Sequence, residues 1–80
     1  MITLSIRYFA ILREQRGVAQ EQLKTTALTP SAVYEELRAR YGFTLPADRI
    51  RAAVNGEFAP SSALLRDGDE VVFIPPVAGG

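Results

Sequence analysis

The last six residues of this 80-residue sequence, Pro75-Pro76-Val77-Ala78-Gly79-Gly80, carry the group best placed to react. A main-chain carboxylate behind two glycines has the narrowest profile a polypeptide can present, and its backbone is free to bend. Such an end can be threaded into another protein. A carboxylate is a poor acyl donor until one oxygen becomes part of a leaving group, and adenylation by a separate ATP-using enzyme supplies that group. Attack by sulfide or persulfide then gives a thiocarboxylate; attack by an amine gives an amide. The competing reading is a frayed terminus, since a terminal glycine pair arises by chance in roughly one chain in two hundred. The diproline before it adds weight to the chemical reading, because it bars further ladder pairing and holds the chain extended.

Side chains offer no rival centre. There is no cysteine and no histidine, which excludes disulfides, thiol chemistry, Ser-His and Cys-His nucleophiles and nearly all zinc sites. Ser61 and Ser62 have no plausible base, Lys24 being the only lysine. No Gly-x-x-x-x-Gly-Lys-Ser/Thr loop cradles a phosphate. Asp67, Asp69 and Glu70 lack the twelve-residue spacing of a calcium loop and read as a polar turn. Nine basic and nine acidic residues cancel, so no basic footprint for nucleic acid is expected. The opening Met1-Ile2-Thr3-Leu4 has neither a basic region nor a long apolar run, and a cytoplasmic protein with no membrane partner is expected.

The elements that hold the tail follow from periodicity. Ile2, Leu4, Ile6 and Tyr8 alternate with Thr3, Ser5 and Arg7, the pattern of a strand with one buried face. Ala10 to Arg16 reads as a short helical turn stopped by Gly17, and Ala19 to Thr25 as a weaker strand antiparallel to the first. Thr29-Pro30 opens a helix, with Thr29 as cap and Pro30 in the first turn. Val33, Leu37 and Tyr41 form its apolar stripe with Tyr34 and Ala32 beside them; Glu35, Glu36, Arg38 and Arg40 face water, and Gly42 ends it. Thr44 to Arg49 reads as loop, Ile50 to Asn55 as strand, Asn55-Gly56 as a hairpin turn, and Glu57 to Ala59 as a short return strand. Arg66 to Asp69 is a second turn before a last strand, Val71 to Ile74. Strand, strand, helix, strand, short strand, strand is an α+β, β-grasp arrangement, a mixed sheet of about five strands with one main helix packed across it. The expected division is a domain over residues 1–74 and a flexible tail over 75–80.

Apolar residues are in excess at three places. In Val71-Val72-Phe73-Ile74 one alternating pair must point away from the core. Phe9 falls on the polar face of the first strand, with Thr3, Ser5 and Arg7, and Phe58 lies in an edge segment. Together they hint at a patch that docks a partner.

The motifs Tyr8-Phe9-Ala10 with Leu12-Arg13-Glu14, Ala52-Ala53-Val54-Asn55, Asp67-Gly68-Asp69-Glu70-Val71 and Pro75-Pro76-Val77-Ala78-Gly79-Gly80 resemble the small subunit of molybdopterin synthase, the MoaD family, along almost the whole chain. The resemblance implies a ubiquitin-like sulfur carrier, a non-catalytic subunit that binds no cofactor itself. Gly80, next to Gly79, would be adenylated by an E1-like enzyme using ATP and magnesium. A sulfurtransferase system would then supply sulfur, giving the thiocarboxylate. The tail would enter the large subunit of a heterotetramer and give its sulfur to cyclic pyranopterin monophosphate in molybdenum cofactor biosynthesis. Family contacts with partners match Phe9, Phe58 and Ile74, with Pro75, Pro76, Val77 and Ala78 leading to the reactive end. The Asn55-Gly56-Glu57 turn is also found in the related thiamine-pathway carrier. A carrier for thiamine or tRNA thiolation, or a protein modifier, therefore stands as the alternative.

Overall fold

Each predicted strand forms, and the register between them fixes the end of the sheet at which the last strand stops. In the computed structural model, which describes residues 1–76, the order is β1 (Ile2–Tyr8), α1 (Ala10–Arg16), β2 (Gln20–Thr25), α2 (Pro30–Tyr41), a single 3-10 turn (Ala47–Arg49), β3 (Arg51–Val54), β4 (Glu57–Ala59) and β5 (Glu70–Ile74). The sheet runs β2-β1-β5-β3-β4. β1 and β5 pair in parallel at its centre, Ile6 beside Val71 and Tyr8 beside Phe73; the other three pairings are antiparallel. This is a β-grasp fold, as the element order predicts.

One face of the sheet meets α2. Leu4, Ile6, Tyr8, Leu23, Val71 and Phe73 pack against Val33, Tyr34 and Leu37 of the helix. The helix begins where Thr29 Oγ1 accepts the Ala32 N–H at 3.2 Å, with Pro30 in the first turn. Such a cap contributes about 1 kcal/mol. Ala32, expected beside the apolar stripe, is exposed. Glu36, expected in water, is half-buried and accepts the hydroxyl of the buried Thr25 at 2.6 Å.

Phe43, just past the helix, is the aromatic hub. Its ring lies 5.7 Å from Tyr8, 5.8 Å from Tyr34 and 6.2 Å from Tyr41, and each such pair adds about 0.5–1.5 kcal/mol beyond burial. Tyr34 Oη then donates to the Leu45 carbonyl at 2.7 Å, tying the following loop to the helix. That loop contains the 3-10 turn rather than being wholly irregular, with Pro46 in extended conformation before it.

At the turn end of the sheet, Asn55 (φ 52°) and Gly56 (φ 88°) make the left-handed hairpin bend. Asn55 Nδ2 donates to Asp69 Oδ1 at 2.9 Å, while its Oδ1 accepts the Glu70 N–H. Asp67 Oδ1 accepts the Thr3 N–H at 2.7 Å. The acidic turn is thus a staple joining three chain segments, the polar turn expected, and among the described residues no group of three His, Cys, Asp or Glu gathers to hold a metal.

At the opposite end, Tyr8 Oη donates to Glu21 Oε2 at 2.6 Å, and Arg16 donates to both Glu21 oxygens at 2.8 Å each. The Arg16 guanidinium also lies 3.9 Å from the centre of the Tyr41 ring. Bonding from Arg16, then from Tyr8, holds the Glu21 carboxyl below its ordinary 4.5, against the opposing effect of burial. Main-chain bonding at Arg66 and the Asn55 amide lower Asp69 likewise. Groups whose folded pKa is depressed stabilise the fold above their ordinary value and lose that contribution as pH falls through the folded value. Thermal midpoints should therefore fall as the pH is taken from 5 towards 2, and Glu21→Gln should make that acid-side slope shallower. Identical slopes in the two proteins would show that Glu21 carries no such linkage.

Ala10, at the start of α1, has φ 53°. The left-handed region costs a non-glycine residue roughly 1–2 kcal/mol, against the entropy penalty of about 0.5–1 kcal/mol that glycine brings. Ala10→Gly should hold or raise the melting temperature. Ala39→Gly, on the exposed face of α2, should lower it by about 4–8 °C. Equal losses at both positions in a thermal melt would contradict the strain at Ala10.

Candidate functional site

Because β1 and β5 are parallel, the chain leaves the sheet at the end where β1 gives way to α1. Pro75 is buried and Pro76 is exposed, so the packed body extends one residue beyond position 74. Val77, Ala78, Gly79 and Gly80 lie outside the described residues. A cleft of about 450 Å³ opens beside the tail root, lined by Asp48, Ile50, Phe58, Ile74, Pro75 and Pro76 among others. Phe58, Ile74, Pro75 and Pro76 are thereby brought together. Phe9 does not line this cleft. It follows β1 as the residue before α1, with extended backbone (φ −126°, ψ 153°), rather than standing within the strand.

The face of the sheet away from α2 can be followed through the register. Paired side chains of neighbouring strands share a face, and one row crosses all five strands: Gln20, Arg7, Val72, Ala53 and Phe58. The next row towards the tail root pairs Ile74 with Arg51. Phe58 is 69% exposed and Phe9 46% exposed, whereas Ile74 is half-buried and Val72 is only 8% exposed. The apolar excess of β5 is therefore mostly covered, and of the apolar residues singled out in the sequence Phe58 and Phe9 are the exposed ones.

Two residues of this face stand out only in the folded chain. Arg7 sits beside Val72, and Arg51 beside Ile74 with its guanidinium 5.8 Å from the Phe58 ring centre. Neither forms an ion pair among the described residues. In the sequence, alternation marks Arg7 as outward-facing, but nothing local shows that its neighbour is 65 positions later. A second, larger cleft of about 720 Å³ separates the start of α2 from the β3–β4 edge and is lined by Tyr34, Ala52, Ala59, Pro60 and Ser61 among others. It gathers no cluster of ionisable groups suited to catalysis. What the arrangement offers a partner protein is the exposed Phe58 beside the cleft at the root of the tail.

Comparison with known proteins agrees with this geometry. Residues 6–80 match the ThiS family. A molybdopterin synthase sulfur carrier subunit of Mycobacterium tuberculosis is 36% identical over 83 residues, covering 100% of both chains. That of Haemophilus influenzae is 34% identical over 80 residues, covering 96% of this chain and 99% of the other. Among solved structures, the putative molybdopterin converting factor subunit 1 of Pyrococcus furiosus aligns with a TM-score of 0.79 at 28% identity, covering 96% of this chain and 100% of that one. The matched segment takes in the β-grasp body and runs on through Gly79-Gly80, and the chain belongs to the ThiS family.

Proposed function

We propose that this chain is the sulfur carrier subunit of a molybdopterin synthase, with the Gly80 carboxylate as its reactive group and no catalytic side chain of its own. The observation that carries this reading is the match to such subunits over the full length of both chains. In the first step a Gly80 oxygen attacks the α-phosphorus of ATP on an E1-like enzyme that holds the magnesium, and pyrophosphate leaves. Hydrosulfide, released from a sulfurtransferase persulfide by a thiol reductant, then attacks the acyl carbon and displaces AMP, leaving the thiocarboxylate. In the large subunit the sulfur replaces an oxygen substituent on a carbon of cyclic pyranopterin monophosphate, that C–O bond breaking as the C–S bond forms. Water then cleaves the acyl C–S bond, restoring the carboxylate and leaving the sulfur on the pterin. Gly79 and Gly80 keep the acyl carbon free of neighbouring side chains, while Phe9, Phe58 and Ile74 dock the body with Pro75, Pro76, Val77 and Ala78 leading inward. Every step takes place in the cytoplasm. Among the described residues no helix is long and apolar enough to cross a membrane.

Co-expression with its E1-like enzyme and a sulfur source should give a sulfur-for-oxygen mass increase on the intact protein, abolished by deleting Gly80. A chain of unchanged mass under those conditions would overturn the reading. Sulfur that reached a thiazole precursor or tRNA but not the pterin would assign the alternative carriers, and attachment to lysines of other proteins would assign a modifier. Gly79→Ala should fold normally yet be thiocarboxylated at least about tenfold more slowly, a methyl group in a narrow channel costing 1.4 kcal/mol or so. Phe58→Asp should weaken association with the large subunit by about tenfold or more with an unchanged melting temperature; unaltered elution of the complex on gel filtration would remove Phe58 from the interface.

A further inference from the structure

The docking face carries charge in an ordered way that the proposed function does not use. Along β1, β5 and β3, the rows nearest the tail root hold Arg7 and Arg51, while the next row away holds Glu70 beside Ser5. Between the two arginines lie Val72, Ala53 and Ile74, with Phe58 at the rim. Arginine is planar, permanently charged and suited to gripping a carboxylate through two parallel hydrogen bonds. Of the chain's other arginines, Arg16 has such a two-bond partner in Glu21, and Arg38 and Arg40 each stand within ion-pair distance of a single carboxylate, at 3.8 and 3.1 Å. Arg7 and Arg51 have none among the described residues, and both are exposed on the face that α2 leaves open. A cation beside uncovered apolar area loses solvation when that area is buried unless a carboxylate meets it. Whatever covers Phe58 must therefore also answer these two charges.

We propose that Arg7 and Arg51 are the specificity grips of this face, and that the protein covering it, the large synthase subunit of the proposed function, presents carboxylates around an apolar centre. The inference rests on that functional reading but goes beyond it, because it assigns the partner's surface chemistry. Exposed charges at a rim act mainly on encounter rate and on the rejection of wrong partners, and that action is screened by salt with a length of about 10 Å at 0.1 M. The apolar contacts act instead on residence time. The two contributions therefore separate in kinetics. Lys24, on the same face but at its far corner beside Thr3, provides a control that alters net charge without touching the grips.

The test is association of the full chain with its cognate large subunit, followed by stopped flow between 20 mM and 500 mM salt. For the native pair the association rate should fall as salt rises. The double variant Arg7→Glu with Arg51→Glu should associate about tenfold or more slowly at low salt and lose most of the salt dependence. Lys24→Glu should stay within about threefold of the native rate, and Phe58→Ser should speed dissociation while leaving the salt dependence intact. Circular dichroism spectra matching the native protein would show that the variants are folded. If the double variant associates like the native chain, or if Lys24→Glu slows association equally, the assignment of the grips is overturned while the carrier function stands. If the double variant loses only thiocarboxylation and keeps its large-subunit kinetics, the activating enzyme reads these charges and the assignment to the large subunit is wrong. If the native pair does not associate at all, the functional reading fails and this inference with it.

Discussion

Parallel pairing of β1 with β5 is the constraint from which the rest of the molecule follows. It joins the first strand of the chain to the last, Ser5 beside Glu70 and Tyr8 beside Phe73, and a parallel pair needs a long connection between its members. Everything from Phe9 to Asp69 is that connection. It contains α2, which closes the core, and the strands that flank the central pair. Once β5 lies beside β1, its four consecutive apolar residues serve two surfaces: Val71 and Phe73 are sealed in the core, and Val72 and Ile74 floor the face on which Phe58 stands.

The two ends of the sheet are then built differently. The turn end is closed by short-range carboxylate and amide bonds from Asp67, Asp69 and Asn55, which tie the start of β1 to the turns before β4 and β5. The tail end is closed by aromatic packing and a bidentate Arg16–Glu21 pair that fixes α1 against β2. Tyr8, buried and donating to Glu21, has its ionisation pushed far above the ordinary tyrosine range, first by burial and then by that bond. It stays a donor wherever the chain is folded.

Much of this was legible in the sequence, and the exceptions have physical reasons. Thr29-Pro30, the Val33/Leu37/Tyr41 spacing and Asn55-Gly56 all specify local geometry, and the corresponding cap, helix and turn are present. Ala32 was misplaced because it lies about 140° around the helix from Leu37, beyond the apolar stripe. The 3-10 turn at Ala47–Arg49 is one turn long, too short to leave a period. Arg7 and Arg51 were readable as surface residues but not as neighbours of Val72 and Ile74, since strand register joins positions far apart in the chain. The chain end proposed as the reactive group is read on the opposite basis, from backbone, glycine and the lack of a rival side chain rather than from any tertiary contact, and Gly79 and Gly80 lie outside the described residues.

Burial of Pro75 turns the chain's last residues into a gauge. With that ring held in the body of the protein, the five residues from Pro76 to Gly80 span at most about 18 Å when fully drawn out. Any enzyme that works on the final carbonyl must bring its reacting atoms within that distance of the carrier's surface. The limit caps how far below its own surface such an enzyme can hold the reacting atoms, and each residue removed between Pro76 and Gly79 would shorten that reach by about 3.3–3.6 Å.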